Sequence, residues 1–252
     1  MGIFNWLSKK KDDTHYEVSD AEVSKQNIQA ETKPDAENSE EKMKFMIVTA
    51  DMFGTIRETI EKGFSQDDIN ERISTFENAR QVCQQALHYV DEHEKKLNAE
   101  LPIRDTFAGL MSICELDMLE VAGNIGLIDV RNNLHILIND RFKQIRNPKS
   151  RDYYAIAQAF MACIDDYQKV SYEQWKDVFS NFSKVSYKIE DVSKLSEFEQ
   201  GIEKYRYARA LYTMGIAYKN GLGVEKNREK AKEYLEKSLE HGYDCSDIIS
   251  IL

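Results

Sequence analysis

Apolar residues recur at helical spacing along most of the chain, beginning near Met43. The first predicted helix carries Phe45, Val48, Met52 and Ile56 on one face, and intervals of three and four residues are typical of an amphipathic helix. The same spacing predicts further helices in which apolar residues span 107–121, 153–167 and 175–182. The pattern therefore predicts an all-α protein, built either as a helical bundle or as an α-solenoid.

The longest apolar pattern covers residues 69–97. Apolar residues follow spacings of four and three, interrupted only where Arg80 and Glu94 occupy the pattern: Ile69, Ile73, Phe76, Cys83, Leu87, Val90 and Leu97. A heptad seam of this kind forms inside a bundle or between two copies of a coiled coil. We predict a bundle helix and keep a homodimer through residues 69–97 as the alternative.

Residues 125–138 fit two structures. Leu127, Val130, Leu134 and Leu137 have helical spacing, whereas the Asn132-Asn133 pair between two apolar runs is compatible with a hairpin turn. We predict a helix here, with the hairpin as the alternative.

The N-terminal region differs from the rest in composition. In residues 1–11, Ile3, Phe4, Trp6 and Leu7 share one side of a short helix that three lysines follow. Such a hook can enter the headgroup region of a membrane, or it can pack on a partner protein or on its own domain. Residues 12–42 are rich in acidic residues and hold no Leu, Phe or Trp, which predicts a disordered acidic linker. An all-helical domain is expected over 43–190 and a repeat region with a C-terminal cap over 191–252.

Composition narrows the class of protein. Only three prolines and eleven glycines occur in 252 residues, which favours helices. A net charge of −10 argues against nucleic-acid binding, which needs a basic surface. The four cysteines are far apart in the sequence and are expected to be buried thiols in a reducing cytoplasm. The expected location is cytoplasmic, with peripheral contact on the inner face of the membrane if the hook binds lipid.

Residues that could support catalysis are not suitably spaced. His88 and His93 are five positions apart, so they do not share the helix face that a zinc pair requires. Asp165 and Asp166 are adjacent and point in different directions on a helix, which makes an acid/base pair improbable. We therefore predict no catalytic residues, no metal site and no cofactor, and a protein that is not an enzyme.

One helix-turn-helix unit is visible in residues 208–242. Small or apolar residues precede an Asn220-Gly221 turn, and a second helix follows Asn227 and ends at Gly242. The unit resembles the Sel-one-like repeat family, short α/α relatives of tetratricopeptide repeats. The residues that carry the resemblance are Ala208, Ala210, Met214-Gly215, Tyr218, Asn220-Gly221, Gly223-Val224, Ala231, Tyr234, Lys237 and Gly242.

The unit departs from the family pattern at two places. Ser238-Leu239 replaces two alanines, and Asp244-Cys245-Ser246 replaces the alanine-rich start of a next repeat. The resemblance implies a tetratricopeptide-like end to the chain and a scaffold for protein complexes. In the related folds the first helix of a repeat lines the binding surface, so Arg209, Thr213 and Ile216 are the expected partner contacts.

Three functions follow from these observations. The expected one is a protein-protein interaction adaptor or scaffold, held at a membrane surface if the hook binds lipid. The alternative is a sequestering protein, of the immunity or chaperone type, for one dedicated partner. A small helical enzyme with a site assembled only in the fold is less favoured.

Overall fold

A computed structural model describes residues 33–165, 169–188, 193 and 195–250. These residues form helices and no strand, which confirms the all-α prediction. The helices are α1 (Lys33–Ser65), α2 (Ile69–Leu97), α3 (Ile103–Asn124), α4 (Ile128–Phe142), α5 (Ser150–Ala162), α6 (Tyr172–Phe182), α7 (Glu197–Asn220), α8 (Arg228–Glu240) and α9 (Ser246–Ser250).

Among the described residues, none of the helices combines the length and the apolar composition needed to cross a bilayer.

Helices α1, α2 and α3 share the first hydrophobic core. Asp68 caps α2 by accepting hydrogen bonds from the backbone N–H groups of Asn70 and Glu71, and Asn98 ends the helix in the left-handed conformation. Within the predicted heptad seam, the side chains of Phe76, Cys83 and Val90 are fully buried in this core. The middle of the seam thus packs inside the chain, as the bundle interpretation requires, while Ile69 and Leu97 at its two ends are exposed; a homodimer through residues 69–97 stays a prediction.

Helix α4 confirms the helical interpretation of residues 125–138. The chain turns at Gly126, which has a φ of 79°, and the helix then runs from Ile128 to Phe142. Of its side chains, only Arg131 and Ile138 are buried, while Val130 and Leu137 are exposed, as is Leu127 just before the helix. The helix therefore covers the core with one narrow face.

Helices α5, α6 and α7 form the second core with one side of α3 and part of α4. Capping boxes begin two of these helices, Ser171 with Gln174 at α6 and Ser196 with Glu199 at α7. Helix α5 begins at Ser150, although Asn147-Pro148 is a typical cap and first-turn pair. The backbone N–H of Asn147 instead donates to the Asp105 carboxylate at 2.9 Å, which ties this turn to α3.

Two predicted boundaries between regions of the chain differ from those in the structure. Helix α1 begins at Lys33, so residues 33–42 belong to a helix and not to a disordered linker; Pro34 suits the first turn because a helix start needs no donor there. The predicted division between 43–190 and 191–252 does not separate two cores. Ala210 and Met214 of α7 are buried in one cluster with Tyr154 of α5 and Trp175 of α6.

Candidate partner-binding groove

An apolar groove lies between helices α6 and α7. Its volume is about 670 Å³, within the usual range of ligand-binding clefts. The described side chains that line it are almost all apolar or aromatic: Met161, Trp175, Val178, Phe179, Phe182, Tyr212, Thr213, Met214, Ile216, Ala217, Asn220 and Leu222. We call it the α6–α7 groove.

The α6 wall is positioned by the turn that follows α7. Trp175, Val178 and Phe182 are buried, and Phe179 is half-buried. Gly223 has a φ of 67° and approaches the backbone of α6 so closely that a Cβ would lie 2.3 Å from the carbonyl carbon of Trp175. Only glycine combines this conformation with this distance. The turn thereby fixes where α6 lies relative to the end of α7.

The α7 wall contains two of the three predicted partner contacts. Thr213 and Ile216 are half-buried and both line the α6–α7 groove. The Thr213 hydroxyl donates to the Arg209 carbonyl oxygen at 3.0 Å, so its hydrogen-bonding need is met within the helix. Thr213 can therefore contribute its methyl group to an apolar surface.

The opposite face of α7 is used by the helix-turn-helix unit itself. A Cβ at Gly215 would lie 2.7 Å from Leu235 Cγ, so glycine permits α7 and α8 to approach closely. Ser238, where the repeat family has alanine, is fully buried and donates from its hydroxyl to the Ala208 carbonyl oxygen at 2.7 Å. This internal packing leaves Thr213 and Ile216 for other contacts.

Arg209, the third predicted contact, lies in a different cavity. This cavity, between α3, α7 and the turn before α9, has a volume of about 420 Å³. Arg209 donates through Nη1 to Glu120 Oε1 at 3.0 Å and to the Tyr154 hydroxyl at 3.4 Å. Burial lowers the pKa of Arg209, but Tyr154 and Glu120 raise it on balance, so its charge belongs to an internal ion pair.

The positions of the three residues along α7 explain why they lie in two different sites. Arg209, Thr213 and Ile216 share one helix face, but the neighbours of that face change from α3 and α5 to α6 along the helix. Helical spacing identifies the shared face and carries no information about which helix covers it. The sequence therefore grouped three residues that the structure divides between two sites.

Several groove residues were not predicted as contacts. Trp175, Val178, Phe179 and Phe182 were expected to form a core stripe, and the structure shows that they both enter the core and line the α6–α7 groove. Met161 and Leu222 were not singled out at all. The density of aromatic residues in 153–187 was a signal for such a groove, although aromatic residues at helical spacing usually form a core.

The other residues that the sequence singled out lie away from the α6–α7 groove or outside the described residues. Ile3, Phe4, Trp6 and Leu7 lie outside the described residues. His93 is buried and its Nδ1 is 2.9 Å from the Tyr89 carbonyl oxygen, whereas His88 is exposed. Across the described ranges, no three His, Cys, Asp or Glu side chains are grouped so that they could hold a metal ion.

Comparisons with protein-family models, with curated proteins and with solved structures returned no match to this chain. The resemblance to the Sel-one-like repeats therefore rests on the motif residues of 208–242 and stays a prediction.

Proposed function

We propose that this protein is a non-enzymatic interaction adaptor that binds an amphipathic helix of a partner protein in the α6–α7 groove. The observation that carries the proposal is the groove itself, an apolar cleft of about 670 Å³. Its aromatic and aliphatic lining is the kind of surface that holds the buried anchor residues of a partner.

The shape of the groove favours a helix as the occupant. The lining residues of α7 run from Tyr212 to Asn220 and those of α6 from Trp175 to Phe182, which is about two helical turns, or 10 Å, on each wall. A partner helix of two turns presents apolar side chains at i, i+3 or i+4, and i+7 along the same length. The polar end of the groove at Asn220 can accommodate a hydrophilic residue at the end of that helix.

Photo-crosslinking of the full chain tests the proposal. A benzophenone amino acid at position 216 should crosslink one partner in cells, and mass spectrometry should identify the attached peptide as part of an amphipathic helix. Thr213→Arg should abolish that crosslink, because it places a charge in the apolar cleft.

Thr55→Arg is the matched control. Like Thr213, Thr55 lies on a helix and donates its hydroxyl to the carbonyl oxygen four residues earlier, at 3.0 Å, but it lies on α1 and not in the groove. Equal crosslinking by wild type, Thr213→Arg and Thr55→Arg would exclude the α6–α7 groove as the partner site. An equimolar complex with one dedicated partner would instead support the sequestering function.

The N-terminal hook gives the adaptor its location in this proposal. Phe4 and Trp6 would enter the inner membrane surface while the following lysines attract anionic lipid. Full-length wild type should float with vesicles that contain anionic lipid, and a Phe4→Ser/Trp6→Ser variant should not. If both proteins float equally, the hook does not bind the membrane. If neither protein floats, the hook serves protein contacts.

A further inference from the structure

Helix α1 has an exposed apolar face that the fold does not use. Met43, Met46 and Ile47 are each more than half exposed, at 58, 61 and 56%. Ala50 is exposed and Gly54 is half-exposed on the same side of the helix, since these five residues follow the i, i+3, i+4, i+7 and i+11 positions of a helix face. The large residues occupy the first half of the face and the small ones the second half.

Gly54 has no structural explanation within the chain. Other helical glycines permit close contacts: a Cβ at Gly63, near the end of α1, would lie 2.7 Å from Phe76, and one at Gly215 in α7 would lie 2.7 Å from Leu235. A Cβ at Gly54 would meet nothing within 4 Å. Glycine in the middle of a helix reduces its stability, so a residue without an internal role suggests close approach by another molecule.

We propose that this face of α1 binds the same face of a second copy of the chain, in an antiparallel helix pair with its two-fold axis near Ala50. In this arrangement Ile47 of each copy lies over Gly54 of the other, and Met46 lies against Phe53. A two-fold interface must be self-complementary. The division of one face into large and small residues satisfies that requirement.

Charges beside the apolar face follow the same symmetry. Glu40, Lys44, Glu58 and Lys62 are exposed, and within the part of the chain that the structure describes none of them forms a salt bridge. The antiparallel pair brings Lys44 of one copy beside Glu58 of the other, and Glu40 beside Lys62. Each pairing occurs twice, which favours the antiparallel register over a parallel one.

A groove next to Gly54 adds to the fit. It has a volume of about 280 Å³ and lies between α1, α3 and α7, with Ile60, Leu110 and Phe198 among its apolar walls. Met43 of the second copy comes opposite Arg57 at the mouth of this groove. The contact nevertheless involves one face of two helices and falls below the roughly 1,600 Å² of a standard stable interface, so a weak, concentration-dependent dimer is expected.

Dimerisation through α1 uses no residue of the α6–α7 groove, and it therefore goes beyond the proposed function and does not depend on it. A dimer would present two grooves, and two linked sites bind a repeated or membrane-bound partner more strongly than one.

Sedimentation equilibrium of the full chain tests the dimer. Between about 1 and 200 µM, the mean mass of wild type should rise from 29.3 kDa towards twice that value. Lys44→Glu should weaken the dimer about tenfold because it creates two like-charge contacts. The double variant Lys44→Glu/Glu58→Lys should restore it. The two positions are about 21 Å apart within one helix, so only contact between copies explains a rescue.

Cysteine crosslinking tests the register. In a Cys163→Ser background, Ala50→Cys should form a disulfide-linked dimer under mild oxidation by diamide, because the two thiols meet near the two-fold axis. Thr55→Cys, which is exposed on another side of α1, should not. A constant monomer mass, a double variant as weak as Lys44→Glu, or equal crosslinking at positions 50 and 55 would each overturn the proposal.

Discussion

Helices α3 and α7 both occupy central positions, yet they contact their neighbours in different ways. Helix α3 packs against α1, α2, α4 and α5 and buries carboxylates among its apolar residues, with Asp117 paired to Arg72 and Glu115 to Arg141. Helix α7 buries small and apolar residues against α8 and leaves its other side to a groove and a cavity. The comparison shows that α3 buries charged pairs, whereas α7 has open concave surfaces on one side.

The largest expected effect concerns Glu115 on α3. Its side chain is fully buried; Arg141 donates to Oε1 at 2.7 Å, and Arg80 Nη1 lies 3.9 Å away. Burial raises the pKa of Glu115 from 4.5 to about 7 despite both arginines. Because the folded pKa exceeds the unfolded one, stability from this group is complete below pH 4.5 and is lost as the pH rises through 7.

Glu115→Gln should remove this pH dependence. Relative to wild type, the free energy of unfolding of the variant should rise by an amount on the order of 3 kcal/mol between about pH 5 and 8. Urea unfolding at several pH values measures the difference. Burial also raises the pKa of Asp117 and Asp152, but both residues remain in the two proteins and cancel in the comparison. Parallel curves for the two proteins would show that Glu115 is ionised throughout.

The second effect compares two positions on α7. Arg209→Glu places a carboxylate beside Glu120 and the buried Tyr154, and it should lower the free energy of unfolding by about 2–3 kcal/mol. The loss is smaller than for a fully buried ion pair, because the Arg209 and Glu120 side chains are each about a quarter exposed. Thr213→Arg, at the groove, should change stability by less than about 1 kcal/mol. Thermal and urea unfolding of both variants measures the contrast. Similar costs at the two positions would mean that the α7 face is uniform, as the sequence pattern suggested.

The third effect concerns the packed side of α7. Gly215→Ala should destabilise the protein by about 1–3 kcal/mol, because its Cβ would overlap Leu235 and approach the Ala231 carbonyl oxygen at 3.2 Å. Hydrogen exchange should show the loss first in α8, which depends on this contact. A variant as stable as wild type would indicate that α8 can shift without cost, and the α7–α8 unit would then be less rigid than the structure implies.

Sequence patterns predicted the helices well where local chemistry decides their ends. Ser171 and Ser196 cap the helices that follow them, as Ser-x-x-Gln and Ser-x-x-Glu sequences predict, because a cap depends on residues only two or three positions away. The start of α5 does not follow from its local sequence, since the Asp105 carboxylate, far away in the sequence, binds the turn at Asn147. The separation of Arg209 from Thr213 was missed for the same reason. Periodicity describes one helix, whereas a site depends on its neighbours.

The smallest expected effect is a stabilisation, and it concerns α1, whereas the predictions for α3 and α7 concern a loss of stability. Gly54→Ala should stabilise the monomer by about 0.5–1 kcal/mol, because alanine favours the helix and its methyl group meets nothing within 4 Å. Gly215→Ala makes the same chemical change in α7 and destabilises, so the pair isolates close packing as the cause. Unfolding should be measured at low concentration, where the monomer dominates. Destabilisation by Gly54→Ala under those conditions would show that Gly54 has an internal role, and its use by a second copy would lose its basis.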